Sequence, residues 1–199
     1  MLIPIIVFLI VVVAHEVAHG YVAYRLGDTT AKDAGRLTLN PIAHLDPVGT
    51  VILPAALILM RSPIVFGWAK PVPVNPYNFK DPRKGMLLTS LAGPGANLAL
   101  AVLFAALFKL RLFAPHSAPW TFLLTGVIIS LVLGVFNMIP VPPLDGANII
   151  FSLLPVHIVK RLAWLEQYGF IVLIALLYLG LLNRVILPLV GFLTKVLIG

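Results

Sequence analysis

The sequence predicts an all-α polytopic membrane protein of about five to six membrane segments, with a re-entrant or extended segment near residues 48–79. Three observations predict it. Hydrophobic residues make up 60% of the 199-residue chain and charged residues only 11%. The mean hydropathy of +1.05 lies far above that of soluble domains. The apolar residues are also gathered into long runs that approach the ~20 residues a spanning helix needs. A net charge of +7 would suit nucleic acid, but the Lys and Arg residues are scattered through short loops. Topogenic charge at a bilayer surface is the simpler reading, and no nucleic-acid partner is expected. The chain has no cysteine, which excludes disulfides and thiolate metal sites.

The elements follow in order. Residues 1–24 form one apolar run and the first span. It is not expected to be a signal peptide, because no basic region precedes it. A polar loop follows, with Arg25, Lys32 and Arg36. Residues 48–60 are apolar but only 13 long and contain Pro54, too short for a crossing. The stretch FGWAKPVPVNPYNF is too rich in proline for a helix and favours extended backbone. Clear spans cover roughly 86–108 and 121–139. The second breaks at PVPPLDG, and a shorter apolar stretch runs from Ala147 to Pro155. Residues 168–183 and 185–198 are two spans, or one span and a terminal surface helix.

Charge placement decides between crossing and re-entry for residues 48–60. Arg25, Lys32 and Arg36 precede that segment, and Arg61, Lys70, Lys80, Arg83 and Lys84 follow it. If it dips in and returns, all eight lie on one side, as the positive-inside rule prefers. The C-terminal end of the first span then faces the cytoplasm.

Within the first span, residues 15–20 read HEVAHG. Positions i and i+4 share a helix face, so His15 and His19 can aim two imidazoles at one zinc ion, with Glu16 beside them as a base. A third protein ligand is expected. Of the seven acidic residues, only Glu16 and Asp145 lie in strongly apolar surroundings. A carboxylate there is costly unless paired or metal-bound. Asp145 follows three prolines that break a helix at depth, so it is the best third ligand.

Five motifs in order, HEVAHG, GRLTLNP, GWAKPVPVNP, LAGPGAN and FNMIPVPPLDG, resemble the site-2 protease family of intramembrane zinc metalloproteases. The likeness is closest to its small prokaryotic members without PDZ or CBS domains. The resemblance implies one Zn2+ per chain on His15, His19 and Asp145, and Glu16 as catalytic base. It implies that Asn137 holds substrate or stabilises the oxyanion. It also implies a transmembrane protein as substrate and the prokaryotic plasma membrane as location. One domain, 1–199, is expected, with a catalytic core over about 1–155 and C-terminal membrane helices over 156–199. Oligomeric state is not legible.

Several assignments stay open at this level. Asn97 is either a polar group near the metal, contacting substrate or oxyanion, or a helix-packing residue bonded to a neighbouring backbone beside Gly93 and Gly95. His44 is either a contact near the reacting carbonyl or the holder of a turn through Asp46 or a backbone carbonyl. Trp68, Trp120 and Trp164 fit interfacial anchoring. A zinc-binding membrane transporter and a non-proteolytic membrane scaffold are the alternative functions.

Overall fold

The computed structural model describes residues 2–61 and 67–199. The expected FGWAKPVPVNPYNF stretch therefore begins outside the described residues, at Phe66. Most of the described residues are helical, with no strand among them. Helices α1 (Leu2–Arg25), α4 (Pro82–Lys109) and α5 (Ala118–Asn137) are the long elements. Short helices α2 (Thr30–Asp33), α3 (Leu53–Leu59), α6 (Asp145–Leu153) and α7 (Val156–Arg161) fill the connections, and α8 (Trp164–Tyr178) and α9 (Leu187–Ile198) close the chain.

Local chemistry sets the boundaries. Asp81 caps α4 by accepting from the N–H groups of Arg83 and Lys84, with Pro82 at the first helical position. Ser117 caps α5 by accepting from Trp120 N–H. Helix α5 stops at Asn137, just before the proline run 140–143 removes backbone donors.

Helices α1, α4 and α5 are each long and apolar enough to cross a membrane. The α8 and α9 pair passes that test only together, bent by 65°. The bend sits at Gly180, whose φ of +93° is a conformation L side chains rarely adopt. The described helices thus supply three crossings, or four with the bent pair, fewer than the five to six expected. The reason is length. Helix α6 has nine residues, about 14 Å of rise, and residues 47–59 form a π-helical turn running into the short α3.

Helices α1, α4 and α5 pack against one another. Val7 and Val11 of α1 meet Ala101, Phe104 and Ala105 of α4, and Leu123, Val127 and Leu131 of α5; Ile186 and Val190 close this core. Sequence numbers fall along α1 as they rise along α4, so the two are antiparallel. The apolar core occupies one half of the bundle, and the motif residues of α1 lie in the other.

Residues 67–75 run without helix between the π turn and a 3-10 turn at Pro76–Asn78. This matches the extended segment expected near 48–79. Trp68 N–H donates to Gly49 O at 3.1 Å and Lys70 N–H to His44 O at 2.9 Å. Arg36 Nη2 donates to Lys70 O at 2.6 Å. At the far end, Asp28 is fully buried and accepts from Asn75 N–H and Asn78 Nδ2, both at 2.7 Å. It also accepts from the hydroxyl and N–H of Thr30. One carboxylate therefore ties the end of α1 to the end of the extended segment.

Candidate metal centre

Spacing puts His15 and His19 on one face of α1, and the fold brings a third group to them. Helix α5 ends at the level of His15, the chain turns through residues 138–144, and Asp145 opens α6 beside both rings. The two Nε2 atoms lie 3.0 Å apart, and each is 3.2 Å from Asp145 Oδ2. His15 is buried, and Asp145 Oδ2 is enclosed without a well-aligned hydrogen bond.

Helix α4 supplies the other sides of the rings. His19 Nδ1 donates to Thr89 O at 2.6 Å. Pro94 lies within α4 and removes the donor to the carbonyl of residue 90. Gly93 faces both rings: a Cβ there would stand 2.3 Å from His19 Nε2 and 2.5 Å from His15 Cε1. Gly95 faces open space. Asn97 is fully buried, with Nδ2 3.0 Å from His15 Nδ1. Thr89, Gly93 and Asn97, spaced four apart, thus form one stripe against His19, both rings and His15 in turn.

This arrangement fits a metal ion. His19 must carry its proton on Nδ1, where Thr89 O accepts it, so its Nε2 offers a lone pair. Nε2 lone pairs and a carboxylate oxygen at 3.0–3.2 Å repel one another unless a cation or proton lies between them. Three ligand atoms each ~2.0–2.1 Å from a tetrahedral zinc stand roughly 3.3 Å apart, close to the separations found. His15, His19 and Asp145 are the group of described residues whose donor atoms converge in this way.

Glu16 lies beside the rings, and its Oε2 accepts from Val72 N–H at 2.8 Å. Val72 stands between Pro71 and Pro73, so it is the sole backbone donor over those three positions. A cavity of about 550 Å3 opens one turn before His15, between Val12 and Val13 of α1, Gly67 and Ala69 of the extended segment, and Phe136 and Leu177. Trp68 also lines it.

The remaining sequence candidates are placed as follows. Asn137 is half-buried, and its Nδ2 donates to Leu133 O at 2.9 Å. His44 is buried, is 2.9 Å from Thr38 O through Nε2 as a turn-holding histidine would be, and also lines the cavity. Sequence reasoning missed Thr89, whose contribution is a backbone carbonyl, and the hydrogen bond from Val72. Asp28 lies in the loop after α1, and only its neighbours Thr30, Asn75 and Asn78 reveal its role.

YwhC of Bacillus subtilis, named as a zinc metalloprotease, is 44% identical over 186 residues, spanning 89% of this chain and 80% of YwhC. The chain belongs to peptidase family M50, the site-2 protease family. The family model itself matches residues 111–180, which include Asp145. Rip2 of Mycolicibacterium smegmatis, also named as a zinc metalloprotease, is 31% identical over 170 residues, 85% of this chain and 64% of Rip2. MJ0611 of Methanocaldococcus jannaschii, named likewise, is 37% identical over 90 residues, 44% of this chain and 46% of that protein. No solved structure gives a significant match. As a family M50 member with apolar helices of spanning length, the protein is an integral-membrane zinc metalloprotease.

Proposed function

We propose that the protein hydrolyses peptide bonds of transmembrane or membrane-embedded protein substrates, as in regulated intramembrane proteolysis. In this reading His15, His19 and Asp145 hold one zinc ion per chain and Glu16 is the catalytic base. The observation that carries it is the convergence of two Nε2 atoms and a carboxylate oxygen on the face of a spanning helix. At 1.5 Å per residue, His15 lies roughly 14 Å from the Tyr24 end of α1, inside the hydrocarbon layer. The Lys and Arg residues after α1 favour a cytoplasmic position for that end, in a prokaryotic plasma membrane. Residues 1–155 form the catalytic core and 156–199 the C-terminal membrane helices of one domain.

Zinc bound there supplies Lewis acidity, acidifying water and polarising a peptide carbonyl. The chain's own residues supply the rest. Val72 N–H holds one oxygen of Glu16, leaving the other to take a proton from water and pass it to the leaving amine. Asn137, at the end of α5, donates to the substrate or the developing oxyanion once its amide leaves Leu133 O.

A substrate helix hides its carbonyls in hydrogen bonds and must be unwound and held extended. Residues 67–73 are suited to hold it. Trp68, Lys70 and Val72 spend their N–H groups on Gly49, His44 and Glu16. Backbone groups alternate sides in an extended chain, so Gly67 and Ala69 present the opposite edge, and both line the cavity beside α1. An unwound substrate segment can add to that edge.

The test is cleavage of a panel of tagged single-span proteins by the purified protein in liposomes, beside Glu16→Gln. Cleavage by wild type alone supports the reading. Equal cleavage by both removes Glu16 from the chemistry.

A further inference from the structure

His15 differs from His19 in one respect. His19 has a backbone oxygen against its Nδ1, which can only accept. His15 has the carboxamide of Asn97 there, which can donate or accept. Asn97 is fully buried, so neither water nor substrate reaches it. Its Nδ2 is the atom 3.0 Å from His15 Nδ1, while its Oδ1 is buried with no partner.

The two ends of this pair impose opposite demands. With Nδ2 donating to Nδ1, the neutral His15 ring carries its proton on Nε2, the atom that faces His19 and Asp145. An imidazole that ligates through Nε2 must instead carry its proton on Nδ1 and needs an acceptor there. The orphaned Oδ1 is such an acceptor, and a half-turn of the carboxamide about Cβ–Cγ exchanges it with Nδ2. The same rotation gives Oδ1 a partner and frees the Nε2 lone pair.

We propose that Asn97 is a positioning residue that sets the tautomer of His15: its Oδ1 accepts Nδ1–H and leaves the Nε2 lone pair for the metal. The proposal rests on the reading of His15, His19 and Asp145 as zinc ligands. It assigns Asn97 to the back of a ligand rather than to the substrate or oxyanion. It also gives the α4 stripe a common purpose: Thr89 O fixes one ring, Asn97 Oδ1 fixes the other, and Gly93 leaves room for both. An amide accepts without adding a negative charge beside Glu16 and Asp145.

The test uses the purified full-length chain in lipid, with zinc affinity measured by competition against a chromophoric chelator. Asn97→Leu keeps the approximate volume and removes the acceptor; Asn97→Asp keeps an acceptor. The proposal expects about 10- to 100-fold weaker zinc binding for Asn97→Leu and near-wild-type binding for Asn97→Asp. A purely packing role would let Leu bind as tightly as wild type, or make Asp fail as badly as Leu, and either result overturns the proposal. Nitrogen-15 NMR of histidine-labelled, zinc-loaded wild type gives a reading independent of any variant. A protonated Nδ1 on His15 is expected, and an unprotonated one overturns the proposal. Wild type that binds no zinc overturns the metal-centre reading itself, and this proposal with it; zinc-loaded wild type with an unaffected Asn97→Leu overturns the proposal alone.

Discussion

The carbonyl oxygen of Thr89 lies 2.6 Å from Nδ1 of His19. A main-chain carbonyl only accepts, so this contact holds the His19 proton on the side away from Asp145. The centre is thereby prepared by α4, a helix that carries none of its three candidate ligands.

Gly93→Ala tests how closely α4 must approach. The added methyl would stand 2.3 Å from His19 Nε2, and Thr89 and Asn97 leave the rings little freedom to retreat. Zinc affinity should fall by at least about 10-fold, as for other changes behind metal ligands. Gly95→Ala, which meets open space, should bind like wild type. Chelator competition on both proteins reads the difference, and equal affinities would show that the stripe does not constrain the rings.

Val72→Pro removes the one N–H that Glu16 accepts and keeps the backbone extended. A hydrogen bond to a charged group contributes about 1.5–3 kcal/mol, so cleavage should slow by roughly 10- to 100-fold. Zinc content should not change, because Val72 touches none of the three ligand atoms. Loss of zinc along with activity would mean that the segment supports the metal rather than the base.

Asp28 predicts a pH dependence of stability. Burial pushes its carboxyl up, but the hydrogen bonds from Thr30, Asn75 and Asn78 outweigh it and hold the pKa below the ordinary carboxylate range. A depressed folded-state pKa gives stability that is complete above the unfolded value, about 3.9, and is lost as pH falls through the folded value. Asp28→Asn should remove most of that acid-side loss. At neutral pH it should destabilise the protein by about 1.5–3 kcal/mol. Thermal melts of both proteins between pH 3 and pH 7 check it, and parallel pH profiles would contradict it.

Much of the centre was legible in the sequence for reasons of cost and spacing. His15 and His19 share a face because four residues make about one helical turn, and Asp145 stood out because a carboxylate in an apolar setting demands a partner. What surrounds them was not legible. Thr89 acts through its backbone, so its side chain carries no signal. Asn97 needed a known neighbour before its role could be separated from packing. Hydropathy also overcounted the spans, since it registers apolar length but not the bend at Gly180 or the shortness of α6.

The most direct measurement is peptide-bond cleavage and zinc content together, in liposomes, for wild type and Glu16→Gln. Cleavage should fall by at least about 100-fold in Glu16→Gln, with one zinc per chain retained in both proteins. Cleavage that survives the substitution, or wild type that cleaves without zinc, would contradict a zinc-dependent hydrolysis with Glu16 as its base.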